Sequence, residues 1–179
     1  MTVPTATRRP GLRRRAVDVI RREPPARQGC FLHRDFHPGD VLFTGTDDGR
    51  LRISGVVDWV ETSWGPADLD VAHRSTARAL LHGVDAGVRF TDRHVAAGGT
   101  LTEDDTARLY WRLLDAPGFA PDAEKVAVPW RELGRSDLTA DVLTRRLEGH
   151  IEALFDRCAS TAAPGRTWHG TGLHAPSGS

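Results

Sequence analysis

An Asp-Gly turn between two strand-like runs is the feature that most constrains how this chain folds. Residues 41–43 and 51–57 are rich in β-branched and aromatic side chains, and residues 46–49 read Thr-Asp-Asp-Gly. An Asp-Gly pair favours a tight hairpin because both residue types tolerate the backbone angles that such a turn requires. The sequence therefore predicts one small antiparallel hairpin.

Helical patterns dominate the rest of the chain. A short helix is predicted over residues 11–22, because the Glu23-Pro24-Pro25 break must end it. Further helices are expected from Pro66, from a Thr102 cap to Asp115 with a stop at Pro117-Gly118, and from about Ser136. The last helix carries an apolar stripe at helical spacing, which consists of Leu143, Leu147, Ile151, Leu154 and Cys158. We therefore predict an α+β fold that is mostly helical.

Composition and charge exclude several classes of protein. The 179 residues are enough for one hydrophobic core, and a formal net charge of zero gives no overall attraction to nucleic acid or membranes. No apolar stretch approaches the ~18 residues needed to span a bilayer, so we expect no membrane partner and a cytoplasmic location. The arginines clustered before residue 28 either form a solvated helix face or a frayed terminus, or bind polyanions.

Three carboxylates flank the predicted hairpin. Residues 33–40 read His-Arg-Asp-Phe-His-Pro-Gly-Asp, which places Asp35 and Asp40 before the hairpin, and Asp58 follows its second strand. Phosphoryl transfer needs a carboxylate that orients the acceptor and oxygen ligands for Mg²⁺, because positioning and charge neutralisation drive the reaction. We predict that these three side chains converge around a magnesium ion and a phosphate group.

The same segment resembles the aminoglycoside phosphotransferases, small-molecule kinases with a protein-kinase-like fold. In that family a loop that reads His-Gly-Asp-x-x-x-x-Asn, often containing His-Pro-Gly-Asn, precedes an Ile/Val-Asp-Trp element and an acidic helix start. Here residues 33–40 match the loop, residues 55–59 read Gly-Val-Val-Asp-Trp, and residues 64–72 read Trp-Gly-Pro-Ala-Asp-Leu-Asp-Val-Ala. Arg34 replaces the family's small residue and Asp40 replaces its asparagine.

This resemblance implies a reaction and a role for each matching residue. It implies an ATP- and Mg²⁺-dependent enzyme that transfers the γ-phosphate to a hydroxyl of a small molecule, with aminoglycoside antibiotics as the acceptor class. Asp35 is then the catalytic base, and Asp40 and Asp58 are the metal ligands. His33 and Asp68 are implied to be structural residues that brace the catalytic loop.

The order of the motifs also bears on domain organisation. Kinases of this type place a nucleotide-binding lobe, with a strand lysine and a Gly-rich loop, before the catalytic loop. Only 32 residues precede His33, and the single lysine, Lys125, follows the loop. We therefore expect residues 28–159 to form the C-terminal lobe of the kinase-like fold, with the nucleotide lobe absent or supplied by a separate partner. Residues 1–27 are then a basic segment with a short helix, and residues 160–179 a disordered tail.

Two other functions stay open from the sequence. The missing lobe and the substitution at Asp40 favour a non-catalytic remnant, or pseudokinase. Alternatively, His33, Asp35, His37 and Asp58 are ligands of a metal-dependent hydrolase, which requires an extended strand through the motif.

Overall fold

The computed structural model describes residues 7–116 and 123–161. Within these residues the α-helices are α1 (Pro10–Ile20), α2 (Asp68–His82), α3 (Val84–Ala96), α4 (Asp105–Asp115), α5 (Ala123–Glu132) and α6 (Ala140–Thr161). The strands are β1 (Cys30–Leu32), β2 (Val41–Gly45), β3 (Leu51–Val56) and β4 (Ser63–Gly65), and a 3₁₀ turn covers Pro38–Asp40. The predicted α+β, mostly helical fold class is confirmed. In the described part of the chain, no helix combines the length and the apolar character that crossing a membrane requires.

The hydrophobic core is helical and centres on α2, which packs against α3, α4, α5 and α6. Leu80 and Leu81 of α2 belong to the same buried cluster as the apolar stripe predicted on α6. Of that stripe, Cys158 is only partly covered, whereas four members are fully buried: Leu143, Leu147, Ile151 and Leu154. The spacing in the sequence therefore identified the buried face of α6.

The basic N-terminal segment packs on α4 and α6 through α1. Ala16 and Val19 of α1 lie in the core, and Arg13 is buried with its Nε 3.9 Å from Oε1 of Glu148. Two ion pairs at the surface join the same segment to α6, namely Arg8–Asp141 and Arg9–Glu152. Arg8, Arg9 and Arg13 therefore bind acidic residues of the same chain, whereas Arg14 and Arg15 lie on the exposed face of α1, as the predicted solvated helix face requires.

The predicted hairpin is confirmed as the antiparallel pair β2–β3, in which Val41 lies opposite Val56. Gly49 has a φ of +76° in the turn, and its N–H donates to the carbonyl of Thr46 at 2.9 Å. Glycine adopts this left-handed conformation without steric cost, which explains the residue choice at the turn.

A second antiparallel pair, β1–β4, was not predicted. Phe31 lies opposite Trp64, and the pairing joins residues that are more than thirty positions apart. Strands of three residues leave too short a pattern to read from a sequence. The pairing closes residues 33–62, which carry all three candidate carboxylates, into one loop that begins and ends beside α2.

Three predicted boundaries need correction. Asp104 rather than Thr102 caps α4, because its side chain accepts the N–H of Ala107 at 2.6 Å. The last helix begins at Ala140 rather than near Ser136, and it continues to Thr161, past the predicted start of the disordered tail. The predicted stop at residues 117–118 and the tail from residue 162 onward lie outside the described residues.

Helices α2 and α3 approach each other closely at Gly87. The hydroxyl of Ser75 donates to the carbonyl of Gly87 at 2.7 Å. A Cβ at position 87 would lie 2.6 Å from the Ser75 carbonyl oxygen and 2.7 Å from Cβ of Ala79. Only glycine therefore permits this spacing between the two helices.

Candidate active site

Asp70 in the first turn of α2 fixes the backbone that leads into Asp35. Its Oδ2 accepts the N–H of His33 at 2.8 Å, and its Oδ1 accepts the N–H of Arg34 at 2.9 Å. Hydrogen bonds to a carboxylate are charge-assisted and stronger than neutral ones. The position of Asp35 is therefore set by α2, the central helix of the core.

His33 ties this loop to the residue before Asp58. The imidazole is buried, and its Nε2 lies 3.0 Å from the carbonyl oxygen of Val57. A carbonyl only accepts hydrogen bonds, so Nε2 must carry the proton and donate. The ring also packs against Trp59, with the two ring centroids 4.6 Å apart. His33 thereby links the segments that carry Asp35 and Asp58.

Backbone strain concentrates in the same place. Arg34 (φ +76°) and Asp58 (φ +61°) are the non-glycine residues with positive φ in the described part of the chain. Such conformations cost of order 1–3 kcal/mol each and cluster at functional sites, where the surrounding structure enforces them. The conformation of Arg34 also explains why a glycine suits this position.

The carboxylate of Asp35 is exposed to solvent and contacts His73. Its side chain is 59% exposed, and its Oδ1 lies 3.4 Å from Nε2 of His73, while Nδ1 of His73 lies 3.2 Å from Oδ1 of Asp115. Burial alone lowers the pKa of His73, but the hydrogen bond and charge of Asp115, together with the charge of Asp35, outweigh it and raise the pKa overall. His73 thus lies between two carboxylates that favour its protonated form.

Asp40 is buried and bound to His37. Its Oδ2 accepts the N–H of His37 at 2.7 Å, and its Oδ1 lies 3.1 Å from Nδ1 of the same residue. The first of these contacts caps the 3₁₀ turn together with a second bond, in which the N–H of Gly39 donates to Nδ1 of His37 at 3.1 Å. Asp40 therefore has a structural role in the geometry observed.

The predicted convergence of three carboxylates is not found. Among the described residues, no three His, Cys, Asp or Glu side chains lie close enough together to hold a metal ion. Asp35 contacts His73, whereas Asp40 contacts His37. The hydrolase interpretation also fails structurally, because a loop and a 3₁₀ turn replace the extended strand that it requires.

Two of the three carboxylates still suit Mg²⁺ in their chemistry. This ion usually binds through one or two carboxylates and completes its shell with water and substrate phosphate oxygens. The N–H of Val57 donates to the carbonyl of Asp40 at 2.8 Å, so Asp40 and Asp58 lie near each other at the end of the β2–β3 ladder. Asp58 is exposed, and Asp40 fits as a ligand if its Oδ1 exchanges His37 for the ion.

The brace that the sequence assigned to Asp68 is made by Asp70. Asp68 instead accepts the N–H and the hydroxyl of Thr102, at 2.9 and 2.8 Å. Sequence reasoning also missed His73, which lies three residues after Asp70 and hence on the same side of α2. That spacing is a usable signal, whereas the contact with Asp115, on another helix, leaves no local trace in the sequence.

Comparison with known proteins identifies the family. A family model described as the phosphotransferase enzyme family matches residues 3–112, which is more than half of the chain. The chain belongs to this phosphotransferase family. The match includes every candidate site residue named above except Asp115, and it begins before α1. The searches of curated proteins and of solved structures each found no match.

Membership of the phosphotransferase family identifies kinase-like phosphoryl transfer as the general chemistry. The loop held by Asp70 and His33 lies within the matched residues. The phosphate donor and the acceptor are not defined by family membership alone.

Proposed function

We propose that this protein is the acceptor-binding lobe of an ATP-dependent phosphotransferase, which transfers the γ-phosphate of ATP to a hydroxyl of a small molecule. The observation that carries the proposal is the placement of Asp35. Its carboxylate is exposed, while the backbone before it is fixed by two hydrogen bonds to Asp70. Pre-organised positioning of this kind is the main protein contribution to phosphoryl transfer.

Each residue of the loop then has a distinct task. Asp35 accepts a hydrogen bond, and finally the proton, from the acceptor hydroxyl. His73 is a positioning residue that holds Asp35 from the side of Asp115. Asp40 and Asp58 would hold Mg²⁺. Bound MgATP would supply the phosphoryl group and neutralise charge on its oxygens.

A nucleotide-binding lobe is the partner that we propose for the exposed apolar side chains of the strand segment, residues 30–65. Large apolar side chains are exposed there, and a surface of this kind is typical of an interaction site. They include Phe31, Leu42, Phe43, Leu51, Ile53, Trp59, Val60 and Trp64. Trp59 and Val60 directly follow Asp58 in the chain, so a lobe docked on these side chains would bring a bound nucleotide next to the proposed magnesium ligands.

Phosphate transfer from ATP to a panel of aminoglycosides, macrolides, choline and amino sugars tests the proposal. In the presence of the nucleotide-binding lobe that the proposal requires, we expect turnover that falls by about 10²-fold or more in Asp35→Asn. Asp47→Asn is the matched control, because Asp47 is an exposed carboxylate in the hairpin turn and its loss should leave the rate unchanged. Equal rates for the wild type and Asp35→Asn would contradict the role of Asp35. Aminoglycosides are the first acceptor class to examine, on family grounds.

A non-catalytic remnant is the competing function, and the engagement of Asp40 by His37 favours it. Titration calorimetry with MgATP separates the two, because a remnant without a magnesium site should bind none. Micromolar binding, weakened in Asp58→Asn, would exclude the remnant.

A further inference from the structure

A cavity of about 460 Å³ lies between α3, α4 and α6, apart from the loop of Asp35. All of its lining residues fall between positions 91 and 161, so none belongs to the catalytic loop. This volume is in the range of sites that enclose small organic ligands.

Three arginines and two aspartates line the cavity. Arg157 binds both carboxylate oxygens of Asp92, at 2.6 and 3.1 Å, and Arg108 binds Asp105 at 3.1 Å. Each aspartate of the wall is therefore already paired with one arginine. Arg112 is the remaining charged group of the wall.

Arg112 is a buried cation without a partner in the described part of the chain. The residue is only 9% exposed, and its Nε is buried with no hydrogen-bond partner. Burial, and then the charges of Arg108 and Arg157, lower its pKa to about 10, so the guanidinium stays charged at neutral pH. A buried charge that is not directly paired is costly, and an anion in the cavity would offset part of that cost.

Neighbouring carboxylates balance the charge of Arg112 only through space. Asp68 and Asp92 both favour its charged form, but neither forms an ion pair with it: Asp92 binds Arg157, and Asp68 bonds to Thr102 and keeps its Oδ1 buried without a hydrogen-bond partner. His150 is neutral at pH 7, because burial and then Arg112 lower its pKa to about 4. The lining residues themselves carry one more positive than negative charge, three arginines against two aspartates.

We propose that this cavity binds a small organic anion, whose carboxylate or phosphate group pairs with Arg112 and whose apolar body contacts Leu101, Leu109 and Leu154. The planar fork of a guanidinium matches both oxyanions and is suited to sites of low polarity. The three leucines belong to the lining and give the cavity an apolar wall beside the charge. The inference does not depend on the proposed phosphotransferase activity.

Four probes with the same chain length test the proposal by titration calorimetry and thermal unfolding. Hexanoate and hexyl phosphate carry the two oxyanions, whereas hexan-1-ol and hexylamine are the neutral and cationic controls. We expect at least one anion to bind and to raise the Tm of the full chain, because a ligand that binds only the folded state stabilises it. A comparison of the two anions shows which head group the site prefers.

Arg112→Met should weaken anion binding by about tenfold or more, the effect of removing a charge-assisted hydrogen bond. Arg89→Met is the matched control, because Arg89 is an exposed arginine of α3 outside the cavity. Ala96→Trp is a second variant: Ala96 is an exposed residue of the lining, so an indole there should block the cavity and leave Arg112 intact. This variant reports on the site even if Arg112→Met does not fold.

Three results would overturn the proposal. They are no binding of either anion at millimolar concentration, equal binding of hexan-1-ol and hexanoate, or unchanged anion binding in Ala96→Trp.

Discussion

Apolar side chains are buried in the helical core but exposed in the segment of paired strands. Leu80, Leu143 and Ile151 have no exposed surface in the core. In the paired strands, Leu51 is 76% exposed and Trp64 is 72% exposed. The two strained residues with positive φ also lie in the second region. The core therefore supplies the stability, and the strand segment, which carries the proposed active site, depends on tethers to that core.

Deletion of side-chain bulk in the two regions tests this contrast most strongly. Leu147→Ala, at a site with 1% exposure, should cost about 3–4 kcal/mol of unfolding free energy, because it leaves a cavity. Ile53→Ala, at a site with 61% exposure, should cost less than about 0.5 kcal/mol. Urea denaturation of both variants measures the difference. Similar costs would mean that the strands belong to the same cooperative core.

Protonation of His150 should destabilise the core in acid. Its pKa falls from an ordinary 6.5 to about 4 in the folded protein, mainly through burial, so the unfolded chain binds the proton more tightly. Stability is therefore lost as the pH falls from 6.5 towards 4, by about 3 kcal/mol. Denaturation at a series of pH values should show a weaker acid dependence in His150→Gln. If the acid dependence of stability is unchanged in His150→Gln, a group other than His150 causes it.

Removal of the tether should release the catalytic loop from the core. Asp70→Ala breaks two charge-assisted hydrogen bonds and should cost about 2 kcal/mol. Hydrogen exchange should show lost protection at the amides of His33 and Arg34, while the amides of α6 stay protected. Asp85→Ala, in the exposed first turn of α3, is the control and should leave the loop protected. Retained protection in Asp70→Ala would mean that the loop is held by other contacts.

His73 should show the opposite pH dependence to His150. Its pKa is raised overall in the folded protein, so its stabilising contribution is complete below the ordinary value of 6.5 and disappears as the pH rises through the raised value. Relative to wild type, His73→Gln should lose about 1 kcal/mol at pH 5.5 and less at pH 9. The same series for His82→Gln is the control, because burial and nearby arginines lower the pKa of His82. If the stability lost in His73→Gln does not vary with pH, ion pairs of a protonated His73 do not explain that loss.

Relief of strain at Arg34 should give a small gain. Arg34→Gly suits a φ of +76° and should stabilise the protein by about 0.5–1 kcal/mol. Arg52→Gly, in the interior of β3, should instead destabilise it, because glycine weakens a strand. Thermal unfolding of both variants gives the sign. If Arg34→Gly is less stable than the wild type, contacts of the arginine side chain stabilise the protein by more than the positive φ destabilises it.

Sequence patterns predicted the parts of this fold that depend on interactions between residues close together in the chain. The turn at Gly49 and the apolar stripe of α6 depend on neighbours within a few residues, and both were read correctly. Asp68 and Asp70 were harder to assign, because both carboxylates occupy the first turn of α2, where the helix dipole favours either. Their separate partners, Thr102 and the His33 amide, come from distant parts of the chain.

The catalytic role that the motif gives to Asp35 stays a prediction, whereas the geometry around this residue is now described. The spacing of carboxylates along the chain did not reveal that Asp40 contacts His37. The pairs His73–Asp115 and β1–β4 join residues 42 and more than 30 positions apart, so no periodicity signals them. The unpaired Arg112 is equally hidden, because an arginine in a helix usually lies at the surface.

The close contact at Gly87 controls the dimensions of the cavity as well as the packing of two helices. Helix α3 forms one side of the cavity. A methyl group at position 87 would clash with α2 and push α3 away from it, which would shift that side of the cavity. The space beside Arg112 thus depends in part on how closely α3 approaches α2 at Gly87.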